Sequence, residues 1–133
     1  MIVVDSNVLA YLYLPTELTA CAEKLRVIEP EWAIARLWRS EVRNALSLYI
    51  RKGLLTLEQA YRIQSSAEAL LADAEFEVPS FEVLQLASES LCSAYDCEFV
   101  ALAKRLGVKL VTADKKVLSA FPKIAVSLAT AGA

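Results

Sequence analysis

Two spacings of apolar residues alternate along this chain. Short runs rich in β-branched and aromatic residues fall at 1–4, 31–34, 75–78, 109–113 and 124–126, and each reads as a strand. Between them apolar residues return every three or four positions, the spacing of one buried helix face. Helices are expected over 8–14, 17–27, 37–51 and 56–72, from Ser80 to about Cys92, over 97–106, and in a short piece through Val117, Leu118 and Phe121. Local signals mark their ends. Ser6 and Asn7 are helix-starting residues, and Lys52-Gly53 and Gly107 are helix-stopping ones. Thr56, with Gln59 three positions later, makes a capping-box pair. The tail 129–133 is expected to fray. No internal repeat, linker or low-complexity tract interrupts the pattern.

Strands alternating with helices predict βαβ units: an α/β fold whose central parallel sheet is flanked by helices in three layers. Right-handed crossovers allow the strand order 3-2-1-4-5, which sets the first and fourth strands side by side. In such a sheet ligands bind beyond the carboxyl ends of the strands, where the strand order reverses. The chain has four aspartates, and three fall near that edge. Asp5 closes the first run, Asp114 closes the fourth, and Asp96 opens the helical segment that begins at Cys97. Asp73 reads as loop.

Composition narrows the chemistry. A length of 133 residues suits a single domain, 1–133. Hydrophobic residues make up 56% and the mean hydropathy is +0.41, so apolar surface is left over for a self-interface or a partner. A tightly packed helical shell around a buried sheet accounts for it equally. The net charge of −2 excludes a nucleic-acid binder with a broad basic face. It leaves room for a nuclease, because bound metal reverses the local sign of an acidic site. Cys21, Cys92 and Cys97 lack metal-type pair spacing and read as buried thiols of a reducing compartment. No apolar run approaches the ~18 residues of a membrane span. The start has no basic n-region and is interrupted by Asp5, so a signal peptide is not expected and the cytoplasm is the expected location.

The helix 37–51 adds a fourth acid. Its apolar stripe holds Trp38, Val42, Ala45, Leu46, Leu48 and Tyr49, and Glu41 lies inside that stripe rather than with Arg43. A carboxylate on a buried face is costly without a cation or donors. Each acid also has an ordinary reading. Asp5 and Asp96 suit helix caps, Asp114 a turn, and Glu41 a salt bridge to Arg36 or Arg39. Together they form a cluster that mutual repulsion penalises unless a cation sits among them. Mg²⁺ or Mn²⁺ suits carboxylate and water oxygens. Thr112 is placed to orient a carboxylate, and Glu98 to act as an outer acid.

The chain has no histidine, which removes Ser-His-Asp, Cys-His and imidazole ribonuclease mechanisms. Glycine occurs only at 53, 107 and 132, so there is no P-loop or GxGxxG. Metal-assisted chemistry on a phosphoester remains.

Four pieces, Ile2-Val3-Val4-Asp5-Ser6-Asn7-Val8-Leu9, Ser40-Glu41-Val42-Arg43-Asn44-Ala45-Leu46, Tyr95-Asp96-Cys97-Glu98-Phe99-Val100-Ala101-Leu102-Ala103 and Leu110-Val111-Thr112-Ala113-Asp114, resemble the PIN-domain family in order and spacing. The likeness is nearest to the VapC-type toxins of toxin–antitoxin pairs. It implies a PIN-like fold and a Mg²⁺- or Mn²⁺-dependent endoribonuclease, held inactive by a small cognate antitoxin and assembled as a homodimer. The family's acidic quartet falls on Asp5, Glu41, Asp96 and Asp114, and its small polar residue on Asn7. Some members carry a further acid after the fourth; here that stretch is Lys115-Lys116-Val117, which leaves the number of ions open between one and two. Arg39, Arg43, Lys104, Lys115 and Lys116 are candidates to hold RNA phosphates, and the helices over 17–72 offer apolar faces for an antitoxin helix.

Other classes fit less well. A HAD-like phosphatase needs a second aspartate where Asn7 stands, and a receiver domain needs a strand-end lysine where Thr112-Ala113-Asp114 stands. A free-standing PIN nuclease of RNA processing, or a PIN scaffold that only binds, shares the fold and differs in partner and activity.

Overall fold

The computed structural model describes all residues, 1–133. Strands β1 (Ile2–Val4), β2 (Trp32–Ala35) and β4 (Leu110–Thr112) are buried along their whole length. That explains why they read as continuous apolar runs rather than alternating ones. With β3 (Glu75–Phe76) and β5 (Ala125–Ser127) they form a sheet in the order β3-β2-β1-β4-β5. Every pairing is parallel, and β1 lies between β2 and β4 with Val3 opposite both Ala33 and Leu110. The expected α/β topology is therefore the observed one.

Helices α1 (Ser6–Tyr13), α2 (Thr19–Ile28), α3 (Trp38–Arg51), α4 (Leu57–Leu70), α5 (Ser80–Ser88), α6 (Ala94–Leu106), α7 (Lys115–Ala120) and α8 (Leu128–Ala131) cover the sheet. The most deeply buried of them is α6, whose Cys97, Phe99, Val100, Ala101, Leu102 and Ala103 are all buried, and it packs against β1, β2 and β4. Trp38 and Phe99 are the largest side chains sealed in the core. The capping box of Thr56 and Gln59 forms in full. Gly107 ends α6 in the left-handed conformation, at φ 67°, which a side chain at that position would strain.

Several boundaries move for local reasons. Asp5 itself caps α1, so that helix begins at Ser6. Ser93 caps α6, which places Asp96 inside the first turn rather than at the opening of the helix. Residues 77 and 78 leave the sheet, because the backbone must turn into Pro79 and α5. Helix α5 stops at Ser88, short of Cys92. The tail does not fray: Ser127 caps α8, Leu128 is fully buried, and Gly132 lies on the Cys21 backbone so closely that a Cβ there would stand 2.2 Å from the Cys21 carbonyl oxygen. A leucine and a contact glycine too few to show periodicity fasten that end.

Candidate active site

Because β1 and β4 are neighbours, the residues after them meet at the carboxyl edge of the sheet. One oxygen of the Asp5 carboxylate, Oδ1, accepts the Ser6 backbone N–H at 2.8 Å; the other, Oδ2, accepts the Thr112 hydroxyl at 2.8 Å. Thr112 is fully buried. Its oxygen also accepts the Asp114 backbone N–H at 3.0 Å and the Asn7 side-chain amide at 3.3 Å, while Asn7 Oδ1 accepts the Ala113 N–H at 3.2 Å. Thr112 and Asn7 thus pin the two strand ends together. Asp114 Oδ1 accepts the Lys116 N–H at 2.8 Å and caps α7.

The third strand end is approached by α3. Glu41, in its first turn, takes neither Arg36 nor Arg39; its Oε1 accepts the Ser6 hydroxyl at 2.9 Å. Arg39 instead donates twice to Glu75 at 2.7 Å and once to Glu68 at 3.2 Å, and Trp38 Nε1 joins it on Glu75 at 2.8 Å. Asp96 enters from the first turn of α6, and the N-terminal ends of α1 and α6 direct their positive dipole ends toward these acids.

Burial dominates the electrostatics. It lifts the Asp5 carboxyl to about 6, helped by the charges of Glu41 and Asp96 and opposed by the bonds from Thr112 and Ser6. Burial also raises Glu41, to which Asp96 and Glu98 add, against the Ser6 hydroxyl; Glu98 is raised by burial alone. As they stand, no three Asp, Glu or Cys side chains are grouped tightly enough to ligate one ion. Like charges held apart is the arrangement their repulsion dictates. The donor set itself, all carboxylate oxygen, fits a hard divalent cation.

Residues 2–125 match the PIN domain family. The chain belongs to that family. A relative, Ribonuclease VapC3 of Pyrobaculum aerophilum, is 32% identical over 127 residues, covering 92% of this chain and 96% of that protein. The crystal structure of PAE2754 from Pyrobaculum aerophilum superposes with a TM-score of 0.79 at 27% identity, over 98% of this chain and 85% of the other. FitAcB from Neisseria gonorrhoeae superposes at 0.73 with 20% identity, over 96% and 98% of the two chains, and shares the fold.

In this PIN domain two clefts open beside the acids. The first, about 490 Å³, is lined by Ser6, Asn7, Glu41 and Asn44 and walled by Tyr11 and Tyr95. The second, about 440 Å³, meets it at Leu37 and Ser40 and is lined by Arg36, Arg39, Arg43, Phe76 and Glu98.

Of the cations proposed for phosphates, Arg43 faces this second cleft with its side chain 57% exposed. Arg39 is committed to Glu75 and Glu68, and Lys115 and Lys116 are exposed at the start of α7. Lys104 does not belong with them: it lies in the last turn of α6, beside Glu82 and Arg105, at the opposite end of the helix from Asp96.

Sequence reasoning treated Ser6 only as a helix starter, although it is the donor that holds Glu41. Its place directly after Asp5 was the available signal. In the sequence Arg36 reads only as a salt-bridge partner for Glu41, and Tyr11, Asn44 and Tyr95 carry no role of their own, since each resembles ordinary helix surface until the fold brings them to one trough.

Proposed function

We propose that this PIN domain is a Mg²⁺- or Mn²⁺-dependent endoribonuclease acting in the cytoplasm as the toxin of a toxin–antitoxin pair. The observation that carries the reading is Asp5. A carboxylate only 5% exposed, with Glu41 and Asp96 close enough to raise its pKa, is costly unless a cation joins it. Relatedness to Ribonuclease VapC3 supplies RNA as the substrate class.

On this reading Asp5, Glu41, Asp96 and Asp114 would hold the metal, as one ion or two. Such an ion supplies Lewis acidity to the phosphate and lowers the pKa of a coordinated water. The chain's own residues set the stage for it. Thr112 and Asn7 fix the Asp5 carboxylate, Ser6 aims Glu41, and Glu98 stands by as an outer acid facing the second cleft. Arg36 and Arg43, which line the second cleft together, take backbone phosphates beside the cut.

The antitoxin has an apolar groove of about 400 Å³ between α3 and α4, formed by Leu46, Ile50, Leu57 and Tyr61. Phe81 and Leu84 on α5, with Leu91 beyond it, supply exposed apolar area for a homodimer.

The test is cleavage of total RNA by the purified protein. Excess chelator stops it and Mn²⁺ restores it, and Asp96→Asn lowers the rate by at least about a hundredfold. Undiminished cleavage in chelator would refute the metal site. Growth arrest on expression, relieved by co-expressing a short reading frame from upstream of this one, identifies the toxin role. RNA cleavage without toxicity would make the protein a free-standing PIN nuclease instead.

A further inference from the structure

The two clefts differ in a way that sorts the parts of a nucleotide. In the first, Glu41 is the only charged side chain and no cation is present; the remaining lining is aromatic, aliphatic and neutral polar. A phosphate is repelled there, and a neutral planar group is favoured. The second contains three arginines against two glutamates, Glu77 and Glu98, so it carries a net positive charge where the first carries a negative one. Arg36 forms no ion pair, and Arg43 reaches only Glu68, at 3.9 Å, so both are free to take phosphates.

The amides in the first cleft are not equivalent. Asn7 spends both ends of its side chain on Thr112 and Ala113. Beyond the backbone bonds of α3, Asn44 accepts only the Ser47 hydroxyl, at its carbonyl; its exposed side-chain amide is without a partner in the protein. It stands one turn along α3 from Glu41, so a group touching it lies next to the acids. The hydroxyls of Tyr11 and Tyr95 are likewise without partners, and the Tyr95 residue is 64% exposed.

We propose that a nucleobase adjacent to the scissile phosphate of single-stranded RNA leaves its stack and seats in the first cleft, against the rings of Tyr11 and Tyr95, where the Asn44 amide reads its edge. The inference rests on the ribonuclease reading and deepens it. A carboxamide carries a donor and an acceptor side by side, which complements the edge of a base. Single-stranded RNA is recognised by this combination of aromatic stacking and edge hydrogen bonds, with the backbone held by cations. The shared wall of Leu37 and Ser40 makes the trough continuous, so a base in the first cleft leads its backbone past the acids to Arg36 and Arg43. Asn44 is then the specificity-determining residue, and the tyrosines are the platform.

Binding separates this from catalysis. The Asp96→Asn protein is titrated with labelled octamers of A, C, G and U by fluorescence anisotropy. One base is expected to bind about tenfold more tightly than the weakest. Asn44→Ala in the same background levels that preference to within about twofold. Tyr95→Ala weakens all four by about tenfold, and Tyr95→Phe restores them. Lys104→Ala, at the far end of α6, leaves binding unchanged. RNA duplex binds more weakly than any octamer.

RNA cut at the same positions by the wild type and by Asn44→Ala, with an unaltered octamer preference in Asn44→Ala, overturns the base seat and leaves the nuclease intact. An Asn44-dependent preference in a protein that never cuts RNA upholds the seat and removes the nuclease. Failure to bind any octamer, where the wild type cuts RNA, overturns the base seat alone; failure both to bind and to cut overturns both.

Discussion

On the proposed metal-site reading, Asp5 is the residue on which stability and function pull in opposite directions. Its carboxyl is lifted by burial from 3.8 to about 6. Between those values the folded chain keeps a proton that the unfolded chain has released, so ion-free stability falls as pH rises through that window and stays low above it. The shift corresponds to about 3 kcal/mol. Asp5→Asn removes that loss but disturbs the Thr112 bond, worth about 1 kcal/mol. The ion-free variant should therefore gain about 2 kcal/mol at pH 7.5 and show a shallower pH dependence between 4 and 6, what remains coming from Glu41 and Glu98, whose carboxyls are also raised by burial. Urea unfolding in chelator at several pH values measures this; a variant whose stability follows the wild-type pH curve would show that Asp5 does not titrate there. The same carboxylate was legible in the chain only through its company: alone it reads as the cap of α1, which it also is, and with Glu41, Asp96 and Asp114 as one of a cluster. Thr112 was legible as an orienting residue. Ser6 was not, since its partner Glu41 is 35 positions away.

At the scale of elements, the position of α3 decides whether Glu41 reaches the site. Its N-terminal turn is tied to β3 by Glu75, which accepts Trp38 Nε1 and both faces of the Arg39 fork with its side chain 5% exposed. The arginine holds the Glu75 carboxyl below its usual range, so this contribution is present at neutral pH and fades as pH falls through the acid range. Glu75→Gln keeps the shape and removes the charge, leaving Arg39 only Glu68. A loss of about 2–4 kcal/mol is expected, with a fall in RNA cleavage because Glu41 is no longer held in place. A urea midpoint equal to that of the wild type would show that α3 is held by its apolar face alone. The periodicity of α3 and the misplaced Glu41 were readable in the chain. The Arg39–Glu75 tie was not, because it joins a helix to a strand across an intervening helix, and no spacing rule connects them.

At the scale of the whole molecule, a net charge of −2 means that RNA is drawn to a local groove and not to a broad basic face. Arg36, Arg43, Lys115 and Lys116 are the cations exposed near the acids. Four phosphate contacts predict a slope of log affinity against log salt of about −3 for single-stranded RNA. A slope twice as steep, measured by anisotropy from low to moderate salt, would mean that a wider surface takes part. The chain by itself determined the α/β class and the strand order, and it pointed to the four acids. Those follow from local periodicity and from the handedness of crossovers, which act over short stretches. Tertiary structure alone decided that Ser6 holds Glu41, that Arg39 is spent on Glu75, that Lys104 faces away, that the tail is fastened by α8, and that Asn44 meets Tyr11 and Tyr95 in one cleft. Those are matters of which side chains end up within a few ångströms, and only the packing of helices on the sheet sets such distances.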